Sequence, residues 1–160
     1  MGSIIVSLFL LCCQPNSVTA PEAFEKISEP EDNPSSPEKV ALGRKLFFDT
    51  RLSRDNSISC ASCHKPEWAF TDRKTVSEGV EGRLTQRNAP SILNAGYLKT
   101  VMFDAHLPTL EMQVIVPIQE HVEMDMDMRS LLQRLQSIPE YESAARKIFG
   151  REFDAWVLTR

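Results

Sequence analysis

The chain is short of the features that mark several common protein classes. Its 160 residues carry 18 Lys and Arg against 22 Asp and Glu, a net charge of −4. A nucleic-acid surface draws on a basic excess, so the balance argues against that class of partner. Histidine is scarce, with only His64, His106 and His121. Cysteine is scarce too: Cys12 and Cys13 sit in an N-terminal apolar run, which leaves one close pair, Cys60 and Cys63. A zinc site on that pair would need two further ligands, and His106 and His121 stand at no familiar zinc spacing. There is no internal repeat and no sustained strand alternation, so the chain reads as mostly α. The apolar run at the start is too short to cross a bilayer. A length of 160 residues allows one domain plus ends, and 42% hydrophobic with 25% charged residues is ordinary for a globular protein.

The central feature is Cys60-Ala61-Ser62-Cys63-His64. C-x-x-C-H is the attachment signature of a c-type haem. Two thiols on one turn of backbone can add to the two vinyl groups of the macrocycle. The adjoining imidazole of His64 then reaches the iron as axial ligand. A thioredoxin-like use of the pair would need a preceding strand, and Asp55-Asn56-Ser57-Ile58-Ser59 is a poor one. The motif therefore predicts one covalent haem c, held by Cys60, Cys63 and His64.

Residues 1–20 read as an export or lipoprotein signal. The usual basic start is missing. Leu10-Leu11-Cys12 or Leu11-Cys12-Cys13 resembles a degenerate lipoprotein cleavage site and Val18-Thr19-Ala20 a small-residue one, with Pro21 unfavourable just after it. Haem c is attached outside the cytoplasm, so motif and leader agree on an exported, periplasmic protein whose only membrane attachment would be lipid. Residues 21–36, rich in Pro, Ser and Glu, read as a linker. The domain spans 37–160. Ser36-Pro37 is a helix start, followed by an apolar face of Val40, Leu42, Leu46 and Phe47 ending near Asp49. The haem helix spans about Cys60 to Lys65, and 70–88 is irregular. Further helices are expected after Pro90 in 89–97, after Thr109 with a kink at Pro117, from Met128 to Leu135, and from Pro139 to Gly150. The apolar pattern of Phe153, Trp156, Val157 and Leu158 runs to the end with no stop signal, which points to a chain that continues.

From Leu42 onward the sequence resembles the N-terminal half of the bacterial di-haem cytochrome c peroxidase family, which includes the haem enzymes of methylamine dehydrogenase maturation. The resemblance is carried by Leu42-Gly43-Arg44-Lys45-Leu46-Phe47-Phe48-Asp49, Ile58-Ser59-Cys60-Ala61-Ser62-Cys63-His64 and Phe70-Thr71-Asp72. It continues through Arg87-Asn88-Ala89-Pro90-Ser91, Phe103-Asp104, Leu110-Glu111-Met112-Gln113, Pro117-Ile118 and Glu123-Met124. It implies a cytochrome-c-like domain that reduces hydrogen peroxide, either cut before a second haem domain or working with a second haem on another polypeptide. That missing domain would receive electrons from a donor cytochrome or cupredoxin. It also implies that Glu123 and Gln113 form the distal pair, and that Asn88 helps bind a calcium ion between the two domains. Cleaving peroxide needs a base that takes a proton from one oxygen and returns it to the other, a role that suits a partly buried carboxyl.

Two departures from the family pattern bear on mechanism. Val76 to Gln86 contains no His, as in the maturation-type members, which predicts a haem that needs no reductive activation. The inter-haem Trp-Asp-Gly-Arg is here Phe103-Asp104-Ala105-His106, without the Trp or the Arg. His106 is then a candidate iron ligand, although a solvent-facing loop histidine is the default. His121 stands near enough in sequence to tune Glu123. The rival reading is an electron-transfer cytochrome with a six-coordinate haem, its sixth ligand one of Met102, Met112, Met124, Met126 and Met128.

Overall fold

The structure, a computed structural model, describes residues 26–160. The leader with Cys12 and Cys13, and the first part of the linker, lie outside the described residues. Helix α1 spans Pro37–Phe48, with the Ser36 hydroxyl accepting from the Lys39 N–H and Pro37 in the first turn. Helix α2 is the single turn Cys60–Cys63. Helices α3 (Leu110–Gln113) and α4 (Ile115–Gln119) are one ladder interrupted at Val114. Pro117 has no N–H to give to the carbonyl a turn upstream, which accounts for the break. Helices α5 (Met128–Gln136) and α6 (Pro139–Phe149) follow, α6 closing on Gly150 at φ +68°, where a left-handed glycine ends the helix. A last turn, α7, covers Ala155–Leu158. No strand occurs among the described residues.

The core joins α1 to the second half of the chain. Leu42 and Leu46 pack with Ile118, Leu131, Leu135, Tyr141, Ala145, Phe153 and Val157. Val40 departs from expectation and is 63% exposed. It lies one turn before Arg44, on the solvent side of the stripe made by Leu42 and Leu46. At the inner end of α1, Asp49 takes a bidentate contact from Arg51 and a 2.5 Å hydrogen bond from the hydroxyl of fully buried Tyr141. Burial alone would raise the Asp49 carboxyl, but those donors hold it down at about 2.

Between the helices the chain forms small closed loops. Single antiparallel bridges pair Lys65 with Thr71, Glu78 with Leu84, and Val101 with Leu107. Each loop turns through left-handed residues: Ala69 and Phe70, Glu81 and Gly82, Met102 and Ala105. The helix expected in 89–97 is only the 3-10 turn Ala95–Tyr97, because Asn94 at φ +62° breaks any longer run. Residues 26–36 carry no helix or strand, yet Asn33 donates to Glu111 at 2.8 Å and Asp32 pairs with Arg160 at 2.9 Å.

Candidate functional site

The attachment motif is held from both sides. Ahead of it, the Arg134 guanidinium of α5 donates to the carbonyls of Arg51 and Ser53 at 2.7 and 2.8 Å and to the Asn56 side chain at 3.0 Å. The Ser59 N–H donates to the Ser62 hydroxyl at 3.0 Å, and the His64 N–H to the Cys60 carbonyl at 2.9 Å. Behind it, the loop closed by Lys65 and Thr71 folds the Phe70 carbonyl onto His64 Nδ1 at 3.0 Å. A carbonyl only accepts, so Nδ1 carries the proton and the Nε2 lone pair is left for a metal.

These residues fit a haem. Cys60 and Cys63 are free thiols rather than a disulfide. Burial pushes the Cys60 thiol up to about 11 and raises Cys63 as well, with Asp72 and Glu123 adding to the latter. Such sites penalise a thiolate and suit a neutral thioether. The stretch from Leu93 to Met112 also leaves Leu93, Leu98, Phe103, Leu110 and Met112 between 45 and 80% exposed. These side chains are apolar area that a macrocycle or another polypeptide could cover. Among the described residues no group of three or more His, Cys, Asp or Glu is arranged to hold a metal ion.

Glu123 lies within electrostatic reach of both thiols. Its own carboxyl is half-buried, and burial raises its pKa, reinforced by the charge of Glu120. The turn that carries it is pinned to the 78–84 loop: the Val80 N–H donates to the Glu123 carbonyl at 2.8 Å. Gly79 sits so close that a Cβ there would lie 2.1 Å from the Val122 carbonyl oxygen. Gln113, half-buried at the end of α3, has its amide nitrogen 3.9 Å from the Met102 sulfur. No hydrogen bond links it to Glu123 among the described residues. Asn88 is exposed and is the first residue after the Arg87 carbonyl that bonds the Ser77 N–H and Thr85 hydroxyl.

The other candidates separate by location. Met124 and Met126 are buried in the core at 3% exposure, and Met128 packs against it, so Met102 and Met112 are the methionines left near the surface. His106 pairs with Asp104 at 2.5 Å on an exposed loop. His121 turns to Asp125, at 3.1 Å, rather than to Glu123. Sequence reasoning missed Gly79, Arg83 and Arg134. Nothing in the local pattern marks them, because each acts on a segment distant in sequence.

The family model for di-haem cytochrome c peroxidase matches residues 37–159. The methylamine utilization protein MauG of Methylophilus methylotrophus is 36% identical over 152 residues, 92% of this chain and 45% of that protein. The cytochrome c551 peroxidase of Pseudomonas aeruginosa is 38% identical over 127 residues, 79% of this chain and 37% of that protein. A solved MauG-like protein associated with microbial copper homeostasis superposes with a TM-score of 0.79 at 36% identity, covering 87% of this chain and 42% of that one. The chain thus spans less than half the length of these relatives. The Cys-Ala-Ser-Cys-His turn, the helical frame and these likenesses agree: the chain belongs to the di-haem cytochrome c peroxidase family.

Proposed function

We propose that this chain is a peroxide-reacting haem module that works with a second haem lying outside it. The observation that carries the reading is the half-buried carboxyl of Glu123, with its raised pKa, within electrostatic reach of the thiols of the attachment motif. Cys60 and Cys63 would form the thioethers. His64, its Nδ1–H committed to the Phe70 carbonyl, would present Nε2 as axial ligand. When bound, haem c supplies the redox-active iron and the electrons that peroxide cleavage consumes. Glu123 takes the proton from one peroxide oxygen and delivers it to the other, which leaves as water. A raised pKa helps the first step, because a more basic carboxylate takes the proton from peroxide more readily and does not lose it to water. The Gln113 carboxamide orients peroxide by hydrogen bonding.

Electrons would come from the second haem domain, fed by a donor cytochrome or cupredoxin. The location would be periplasmic, where haem c is attached. No described helix is long and apolar enough to cross a membrane. Asn88 would give one oxygen to a calcium ion whose other ligands lie beyond the described residues.

The test is the rate of reaction of the haem-loaded chain with hydrogen peroxide, followed by stopped-flow absorbance. Glu123→Gln is expected to slow it about 10²-fold. An unchanged rate would remove Glu123 from the chemistry. A low-spin ferric spectrum that resists peroxide would favour the electron-carrier alternative, with Met102 or Met112 as sixth ligand.

A further inference from the structure

Among the described residues the Glu123 carboxyl makes no hydrogen bond or ion pair, so its direction is set by the backbone turn that carries it. That turn is unusual. The N–H groups of Glu123 and Asp125 both donate to the Glu120 carbonyl at 3.0 Å, and Asp125 sits at φ +49°. A non-glycine residue in the left-handed region persists where its surroundings over-determine it.

The surroundings here centre on one guanidinium. Arg83 Nη1 donates to the His121 carbonyl at 2.8 Å and to the Asp125 carboxylate at 2.6 Å. It therefore holds the chain two residues before and two residues after Glu123. Its other arm pairs with Glu81, which is also bound by Arg54. Arg54 reaches the same turn through Asp125 at 3.2 Å and through its N–H to the Met124 carbonyl at 2.9 Å. The Arg83 side chain is only 23% exposed, so it is packed into this role rather than trailing in solvent.

We propose that Arg83 is a positioning residue: it fastens the 120–125 turn to the 78–84 loop and so keeps the Glu123 carboxyl inside the site. This rests on Glu123 as the acid–base group. An ion-pair cluster that only stabilises the fold would behave differently on removal. So would a cation acting through its charge. Loss of a nearby cation raises the pKa of a carboxyl, whereas release of the carboxyl to water lowers one that burial had raised. The charged and titratable groups around the turn are Glu120, His121, Asp125, Arg54 and Glu81, with Cys60 and Cys63 facing Glu123 from the attachment motif, and none of them changes in the variants below.

The experiment compares Arg83→Ala and Arg83→Lys, each with and without Glu123→Gln, in the haem-loaded chain. Arg83→Ala is expected to slow reaction with peroxide about tenfold, the scale of a modest misplacement. The acid limb of its rate profile should move to lower pH, and Arg83→Lys should recover much of the rate. In the Glu123→Gln background, Arg83→Ala should add less than about twofold, because the group it positions is already disabled. An unchanged Arg83→Ala rate, an acid limb that moves up, or the full tenfold loss in the Glu123→Gln background would each overturn the proposal. Amide hydrogen exchange gives a readout independent of catalysis: residues 120–125 should exchange about tenfold faster in Arg83→Ala. If Glu123→Gln alone leaves the rate unchanged, the acid–base reading falls. Exchange then decides whether Arg83 holds the turn, and unaltered exchange refutes that as well.

Discussion

Replacing Gly79 by alanine adds one methyl group where the fold has no room for it. A Cβ at residue 79 would lie 2.1 Å from the Val122 carbonyl oxygen, 2.6 Å from the Glu123 carbonyl oxygen and 2.8 Å from the Glu123 Cα. All three are backbone atoms, so no side chain can rotate away. Contacts of this kind essentially never fall below 3.0 Å, and the 120–125 turn would have to retreat by close to 1 Å. Overpacking of that sort costs about 1–3 kcal/mol of stability. A 1 Å displacement of a catalytic group costs about 10² in rate. Gly79→Ala is therefore expected to lose about as much peroxide reactivity as Glu123→Gln while keeping its covalent haem, which mass spectrometry of the intact chain would verify. Gly79→Ala at full rate would overturn this expectation, since it would show that the turn carrying Glu123 can move without consequence. Gly82 supplies the control. A Cβ there meets only the flexible end of Glu78, at 3.7 Å, although its φ of +71° adds strain. Gly82→Ala should cost about 1 kcal/mol in stability and little in rate.

Other predictions concern the frame. Asp49→Asn should destabilise the domain by about 2 kcal/mol at neutral pH, a lowering of the melting temperature by roughly 5 °C. The Asp49 carboxyl is depressed from 3.8 to about 2 in the fold, so its contribution is fully present above 3.8 and disappears as pH falls through about 2. The gap between the two melting temperatures should close on acidification, and a gap that stays constant with pH would assign the effect to packing instead. Arg134→Ala leaves the Arg51 carbonyl without this donor and the Ser53 carbonyl with only the 3.4 Å bond from the Asn56 N–H, and should cost about 1–3 kcal/mol, read by chemical denaturation. For the chemistry, the base must be ionised, so peroxide reactivity should fall on acidification at a higher pH than a solvent-exposed glutamate would give, because burial and Glu120 raise Glu123. A limb at the ordinary value would place the carboxyl in water.

The helical frame was legible because its signals are local. Ser36-Pro37 and Pro139 with Gly150 mark helix ends by their own backbone chemistry, and all fall where expected. The haem motif was legible for the same reason. The misreadings came where neighbours decide. Pro90 suggested a helix, but Asn94 adopts a left-handed conformation that no local pattern announces. Val40 is apolar at roughly helical spacing, yet lies on the Arg44 side. His121 is two residues from Glu123 in sequence and is directed to Asp125 and Arg83. The grip on Glu123 joins residues about forty apart, a relation that only the folded chain displays.

The hydrogen bond between Tyr141 and Asp49 spans 92 positions in the chain. It has a consequence in time. Helix α1 and the attachment motif leave the ribosome well before α6, whose Tyr141 and Ala145 complete the core around Leu42 and Leu46. At about 5–20 residues per second, the interval between His64 and Tyr141 is roughly 4–15 s. For that period α1 can form its own helix but lacks the side chains that bury Leu42 and Leu46, so the core of the domain cannot close until α6 has been made.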